Sequence, residues 1–244
     1  MLPKIEQPIY TATILSQPKP VEFNIFTVRE SKILMMAKEG KELSGMVDAL
    51  RQILANCLVD KTINVAQLPM VDLEWLFLNI QARSFGEKTP LYFKCNNLVK
   101  TDDQVEKHEC GMVIELEVDL LKVPIVGANV ETKIMLTEHD GLQMRFPNFE
   151  TTQQLLKTSD DMQDVVLAAG CVDYVFDATA VYYPKDMLPG ELQDFIEALP
   201  ITKYMMIEQF LANCPTIRET VSKDCPKCGF HHVITLEGLE DFFT

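Results

Sequence analysis

A pair of cysteines near the C-terminal end constrains the fold more than any other feature of this sequence. Two residues separate Cys225 from Cys228 in the segment CPKCG, which occupies residues 225–229. A Cys-x-x-Cys turn followed by glycine directs backbone N–H groups toward thiolates that share a bound metal, most often zinc. Structural zinc takes four ligands, so this motif supplies half of a site and a distant part of the chain has to supply the rest.

Cys95 and Cys110 are the most suggestive source of the other two ligands. Cys110 is followed by glycine, and both cysteine pairs lie between β-like flanks, although fourteen residues separate the first pair. Closing the long loop between the pairs costs only a few kcal/mol, because loop entropy grows logarithmically. Zinc contributes on the order of 10 kcal/mol. We therefore predict a structural Zn²⁺ held by Cys95, Cys110, Cys225 and Cys228.

The prediction leaves two alternatives open. Three histidines lie close enough in sequence to replace a cysteine ligand: His108, His231 and His232. The other alternative is a set of reduced thiols without metal. An odd number of cysteines, seven, favours reduced thiols and metal ligation over a disulfide framework.

Composition bounds the class of protein and its partners. The chain has 47% apolar and 24% charged residues, close to the averages for a soluble globular protein. It contains neither a signal peptide pattern nor an apolar run of about 20 residues, so we expect a cytoplasmic protein without a membrane-spanning segment. The net charge of −14 repels nucleic-acid phosphates. We expect partners that are proteins and not nucleic acids.

Local patterns predict an α+β fold. Four prolines punctuate the start of the chain. A helix is then predicted to begin at Thr27, because Glu30, three residues further on, completes a capping box. Apolar residues alternate from Met112 to Leu120, as in a strand, whereas residues 171–177 fit a helix or a strand equally well. The predicted architecture has an N-terminal helical layer, a central antiparallel β-sheet, and C-terminal helices that end in a zinc-ribbon-like β element. The corresponding regions are an extended arm (1–25), a helical region (26–86), a β-rich region with the first cysteine knuckle (87–147), a helical region (148–215), and a C-terminal Cys-x-x-Cys ribbon half (216–244) that packs on 87–147.

No catalytic constellation emerges from the residues. A redox dithiol needs its Cys-x-x-Cys at a helix N-terminus, whereas Cys228 precedes a strand-like segment. A zinc deaminase needs His-x-Glu, whereas His108 and Glu109 are adjacent. No glycine-rich phosphate-binding loop is present. We expect a protein that is not an enzyme and that acts through contacts with other proteins.

Four segments carry a resemblance to a known family. They are FTVRESKILMMA at 26–37, CVDYVFD at 171–177, LQDFIEALP at 192–200, and the ending that runs from CPKCG at 225–229 through LEGLEDFF at 236–243. Together they resemble the baseplate hub and hub-assembly proteins of T-even-type bacteriophages with contractile tails. The resemblance extends over nearly the whole chain from about residue 21.

The resemblance implies a non-enzymatic protein of virion assembly. Its partners would be other hub and tail proteins of the phage, and a homo-oligomer is compatible with it. It would be made in the host cytoplasm and act there during assembly, either as an assembly factor or as a component of the virion tail baseplate. The alternative is a zinc-ribbon adaptor in a transcription or processing complex of the host or the phage.

Overall fold

A computed structural model describes residues 5–40, 43–100, 107–238 and 240–242. In these ranges the helices are α1 (Val28–Gly40), α2 (Leu43–Cys57), α3 (Met70–Phe85), α4 (Phe149–Leu155), α5 (Gln163–Gly170), α6 (Glu191–Glu197) and α7 (Ile201–Ala212). The strands are β1 (Ile9–Ala12), β2 (Val21–Asn24), β3 (Lys88–Lys94), β4 (Leu98–Val99), β5 (His108–Glu109), β6 (Val113–Asp119), β7 (Ile125–Val126), β8 (Lys133–Met135), β9 (Gly141–Met144), β10 (Val172–Phe176), β11 (Val181–Tyr182), β12 (Thr216–Asp224) and β13 (His231–Glu237).

The strands form several small antiparallel sheets, and this corrects the predicted central sheet. Within the described residues, β1–β2, β3–β6 and β4–β5 are two-stranded. A three-stranded sheet has the order β13-β12-β7, and a four-stranded sheet has the order β11-β10-β9-β8. The reason is that helices alternate with the strands along the chain, and separate groups of strands bury their apolar faces in different clusters. The fold is nevertheless a mixture of helices and strands, as expected.

The start of the chain is a packed β-hairpin, where an extended arm was expected. β1 and β2 pair from Ile9 with Asn24 to Ala12 with Val21. The inner residues Ala12, Val21 and Phe23 are buried in the largest hydrophobic core. The apolar face of this hairpin explains the packing, because each strand is too short to be stable in isolation.

The largest hydrophobic core surrounds helix α3, which is buried along most of its length. Leu73, Leu76, Phe77 and Ile80 of this helix are inaccessible to solvent. They pack with apolar residues of α2, of the β1–β2 and β3–β6 hairpins, and of the base of the β12–β13 hairpin. This first core therefore joins the N-terminal helices to both ends of the chain.

Helix α1 begins with the capping box that its sequence predicts. The Thr27 backbone N–H donates to Glu30 Oε2 over 3.0 Å, and the Thr27 hydroxyl accepts from the Arg29 N–H over 3.2 Å. These bonds satisfy donors that the first helical turn leaves without partners. The Thr27 hydroxyl also contacts the Glu30 carboxylate directly.

A second hydrophobic core lies between the four-stranded sheet and helices α5, α6 and α7. Its buried residues include Leu142, Met144, Val172, Leu192, Ile196, Ile207 and Phe210. In the segment 171–177, for which the sequence pattern did not separate helix from strand, residues Val172–Phe176 form β10. Because β9 pairs with β10, this sheet joins residues on both sides of position 147.

A third, much smaller cluster contains Cys95, Cys110, Ile114 and Cys225 as its buried residues. It lies at the tips of two hairpins whose other ends reach the first core.

In the described part of the chain, no helix is both long and apolar enough to cross a membrane.

Candidate metal centre

Two hairpin tips with matching hydrogen bonds form the site. In the first, the Cys95 N–H donates to Met112 O over 2.8 Å and the Gly111 N–H donates to Cys95 O over 2.9 Å. In the second, the Cys225 N–H donates to Phe230 O and the Gly229 N–H donates to Cys225 O, each over 2.9 Å. The two pairs of cysteines therefore occupy equivalent positions, even though the first pair is separated by a longer insertion.

The insertion between Cys95 and Cys110 leaves this geometry intact because it forms a hairpin of its own. β4 and β5 pair through Leu98 with Glu109 and Val99 with His108, so the chain returns to the point where it left. The Cys110 N–H then donates to Asn97 O over 2.8 Å. A cysteine knuckle of this kind accommodates a long insertion, provided that the two ends of the insertion remain paired.

Glycine follows the second cysteine of each pair for a conformational reason. Gly111 has φ of 66° and Gly229 has φ of 72°. This left-handed region is accessible to glycine without the steric cost that a Cβ atom brings. The turn it permits brings the next backbone N–H back toward the cysteine sulfur.

The four cysteine sulfurs converge on one point. Cys95 Sγ lies 3.6 Å from Cys228 Sγ, and Cys110 Sγ lies 3.8 Å from Cys225 Sγ. All four sulfurs lie within 4.8 Å of one another, and each close pair joins one hairpin to the other. None of these cysteines forms a disulfide. The structure thus brings together all four cysteines that the sequence analysis named as ligands.

Two of the sulfur–sulfur distances fit a tetrahedral metal. With metal–sulfur bonds of about 2.3 Å, as for zinc, the edge of a regular tetrahedron of sulfurs is about 3.8 Å. The observed separations of 3.6 and 3.8 Å match this edge. A disulfide requires about 2.05 Å, far shorter than either. Four mutually close cysteines can therefore bind a metal ion at this point.

Three of the four cysteine sulfurs accept a hydrogen bond from the backbone N–H two residues further along the chain, and this bond acts to lower the pKa of the thiol. The Phe230 N–H, followed by the Asn97 side chain, lowers the pKa of Cys228 to about 6. Burial raises the pKa of Cys95 to about 12, against the opposing effect of the Asn97 N–H. At Cys110 the Met112 N–H lowers the pKa, but burial and the neighbouring thiols raise it overall. At each of the three cysteines the N–H group favours the thiolate, the form that binds metals, but only at Cys228 is the pKa lowered overall.

Two side chains connect the halves of the site reciprocally. Asn97, from the first half, donates its Nδ2–H to Cys228 Sγ over 3.5 Å. His232, from the second half, places Nε2 at 3.1 Å from Cys95 Sγ. A third link is the Lys227 ammonium, which donates to Cys110 O over 3.2 Å. Each contact crosses from one hairpin to the other, so the halves also meet outside the sulfur cluster.

The histidines named as alternative ligands occupy three different environments. His232 is buried between the rings of Phe93 and Phe230, at centroid distances of 5.1 and 4.8 Å, and contacts a cysteine sulfur. His231 is exposed on the same strand and pairs with Asp224 over 2.6 Å. Among the described residues, the buried Nδ1 of His108 has no hydrogen-bond partner. The four-cysteine group contains none of the three.

Asn97 is the functional residue that the sequence analysis missed. Its position two residues after Cys95 is the signal that was available, because that position supplies an N–H to the preceding cysteine in such a turn. Its side chain contacts the other knuckle. Nothing in the sequence pattern indicates that second contact, which depends on how the two hairpins approach.

The remaining cysteines lie outside the site. Cys57 is buried in the first core, and Cys171 is buried in the second, where the partly buried Cys214 packs against the cluster. Burial raises the pKa of both Cys57 and Cys171 to about 12, and that of Cys214 to about 11. These thiols stay protonated at neutral pH and are poor nucleophiles.

Comparison with known proteins gives one family. No match was found among curated proteins or among solved structures. The sequence model of a family described as T4 bacteriophage base plate protein matches residues 7–244. This match confirms, at the level of the baseplate, the resemblance that the sequence segments carry. The chain belongs to the T4 bacteriophage base plate protein family.

Proposed function

We propose that this chain is a non-enzymatic assembly or structural protein of the phage tail baseplate hub, acting through contacts with other proteins. The observation that carries the proposal is the family match over residues 7–244. The net charge of −14 supports protein partners over nucleic acid. The raised pKa values of Cys57, Cys171 and Cys214 disfavour a cysteine nucleophile at those positions.

The proposal includes a structural zinc ion bound by Cys95, Cys110, Cys225 and Cys228. Four protein ligands complete the tetrahedral coordination of zinc and leave no position for water or substrate, which is the mark of a structural site. Soft thiolate ligands in this geometry suit zinc or iron. We favour zinc because it is not redox-active, and its proposed role is to hold two hairpins together.

With zinc bound, the two hairpin tips would form a zinc-ribbon-like element. Its ligands come from segments more than a hundred residues apart, since Cys95 and Cys228 have a sequence separation of 133. The element would fix the β12–β13 hairpin against the middle of the chain. A surface shaped in this way is what a baseplate partner would recognise.

The proposed partners are hub and tail proteins of the same phage. The chain would be made in the host cytoplasm and act during assembly, with or without a second copy of itself. Its final location would be the tail baseplate if it is a structural component. If it is an assembly factor, it would leave before the virion is complete.

Two measurements in infected cells test this function. Affinity purification of the tagged full-length chain should recover other tail proteins, and recovery of RNA polymerase subunits in their place would contradict the proposal. Mass spectrometry of purified virions then separates the two roles. A stoichiometric amount of the chain in virions indicates a structural component, and its absence from them indicates an assembly factor.

A further inference from the structure

An apolar groove opens between the four-stranded sheet and the start of helices α6 and α7. Its volume is about 520 Å³. The main apolar residues that line it are Leu136, Phe176, Met187, Leu192, Phe195 and Leu199. This volume lies within the range of about 300–1,000 Å³ that is typical of ligand-binding pockets.

The apolar character of the groove continues onto the surface around it. The Phe195 side chain lines the groove and is 37% exposed. Leu188 and Ile201, each next in sequence to a residue of the lining, are 76% and 69% exposed. Exposed apolar side chains that cluster around a concave site are typical of protein-binding surfaces.

Carboxylates stand at one end of this groove. Gly141 and Phe176 are directly paired across β9 and β10, so the adjacent residues Asp140 and Asp177 lie side by side where the strands end. Thr179, Ala180 and Tyr182 donate hydrogen bonds to Asp177 and hold it in place.

A third carboxylate, Glu191, comes from the start of α6. The groove also contains one cation, Lys203, whose Nζ lies 3.5 Å from Met135 O. Another cation, the Lys133 Nζ, lies over the Phe176 ring at 4.9 Å. Three acids against one lysine in the lining leave the groove with a negative charge beside its apolar wall.

We propose that this groove binds a short segment of a partner protein that carries large apolar side chains next to lysine or arginine. The apolar wall would take the large side chains, and Asp140, Asp177 and Glu191 would pair with the basic residues. Charge complementarity of this kind selects among partners more than it adds affinity. The inference rests on the proposed function insofar as the occupant is a protein, but it does not depend on the metal or on which tail protein binds.

A selection from a random library of short peptides tests the proposal without assuming a sequence. The bait is the full-length chain. Enriched peptides should combine large apolar residues with lysine or arginine, and their binding should weaken as salt concentration rises. Phe195→Ser should weaken the binding of an enriched peptide about tenfold, because it removes an aromatic ring from the apolar lining of the groove. Circular dichroism should show unchanged secondary structure, since Phe195 is partly exposed.

Matched variants distinguish peptide binding in the groove from attraction to the overall negative charge of the chain. Glu191→Gln and Glu197→Gln remove the same charge from exposed positions of α6, but Glu197 does not line the groove. Only Glu191→Gln should weaken binding, by roughly two- to fivefold. Met36→Ser controls for the loss of an exposed apolar side chain that belongs neither to the lining nor to the apolar surface around it.

Three results would overturn the proposal. They are no enrichment of any peptide, enrichment of peptides without basic residues, and equal binding by Phe195→Ser and the unmodified chain. Failure to recover tail proteins from infected cells is a separate result. It would count against the proposed function and leave the peptide selection unaffected.

Discussion

The first hydrophobic core and the cysteine cluster lie at opposite ends of the β12–β13 hairpin, and the side chains that form them differ. At the base of this hairpin, Ile217 and Leu236 are buried among the apolar side chains of the first core. At its tip, Cys225 is buried with two other cysteines and one aliphatic residue, Ile114, and among the described apolar residues only Phe93, Val99 and Cys228 pack beside them, each partly buried. The same two strands therefore run from an apolar environment into one dominated by sulfur.

The difference indicates which half of the hairpin needs a ligand. Full burial of one aliphatic or aromatic side chain contributes about 1.5–3 kcal/mol, and the first core contains many such residues. The cysteine cluster contains too few to hold two hairpin tips together. In a close group of four thiolates the negative charges repel one another, and a bound metal cation would offset this repulsion. We therefore attribute the stability of the base to the hydrophobic effect and propose metal ligation at the tip.

Loss of a cysteine ligand should have the largest effect. We expect Cys225→Ser to reduce bound zinc from about one ion per chain to nearly none, since metal ligation contributes on the order of 10 kcal/mol in apparent terms. Hydrogen exchange should accelerate at the hairpin tip near Cys225 and stay slow in α3. Cys214→Ser, outside the cluster, should retain the zinc. Unchanged zinc in Cys225→Ser would contradict the assignment of the ligands.

Truncation of a large side chain in the first core should destabilise the fold without removing the zinc. Phe77→Ala removes a fully buried ring and should lower the free energy of unfolding by about 3–5 kcal/mol. The folded fraction should still bind about one zinc per chain, which metal analysis of purified protein would show. Phe85→Ala is the matched control, because that ring is 62% exposed and should cost much less. Loss of zinc from the folded Phe77→Ala protein would mean that the two regions are not separable.

The contacts around the sulfurs should have a smaller effect on the metal. His232→Ala removes the group that lies 3.1 Å from Cys95 Sγ, and we expect zinc affinity to fall about 10- to 100-fold. His231→Ala, the exposed neighbour, should leave the affinity unchanged. Competition with a chelator measures both. Absorption spectra of the Co²⁺ form should indicate four sulfur ligands both in the unmodified chain and in His232→Ala. A change to three sulfurs plus another ligand in His232→Ala would contradict the assignment of His232 to a position outside the set of metal ligands.

The smallest predicted effect is at the capping box of α1, remote from the metal. Thr27→Ala should lower the free energy of unfolding by about 1 kcal/mol, and Thr27→Ser should preserve most of it. Chemical denaturation of the two variants would show the difference, with zinc content unchanged in both. A loss as large as that of Phe77→Ala would contradict the local role of this cap.

The capping box also predicts a dependence on pH. Burial acts to raise the pKa of Glu30, but hydrogen bonds from Thr27, the Glu30 backbone and Asn56 outweigh it and lower the pKa overall. A carboxylate with a lowered pKa stabilises the fold above the pKa of the unfolded chain, about 4.3, and this contribution is lost as the pH falls through the folded value. Glu30→Gln should reduce this loss. Equal acid sensitivity of Glu30→Gln and the unmodified chain would contradict it.

Local elements were predictable from the sequence wherever a residue type has a single well-defined structural role. Thr27 and Glu30 specify a helix start, alternation specifies β6, and glycine after each second cysteine specifies a knuckle. The grouping of the four cysteines also followed from chemistry, since each half-site is incomplete alone. These inferences needed no knowledge of how distant elements pack.

Features that depend on long-range packing were missed. Alternation predicts a strand but does not identify its partner, so the separate small sheets were not foreseen. Each strand of the β1–β2 hairpin has four residues and follows directly after a proline, and the burial of the hairpin depends on α3, which lies much later in the chain. The contact of Asn97 with Cys228 likewise depends on the approach of two hairpins.

The central claim is that four cysteines hold one structural zinc that joins the two hairpin tips. Metal analysis of freshly purified protein, prepared without chelators, tests it most directly, and X-ray absorption at the zinc edge identifies the ligands. The account predicts about one zinc per chain with four sulfur neighbours at about 2.3 Å. Protein that folds and contains no zinc, or contains zinc with fewer sulfur neighbours, would contradict it.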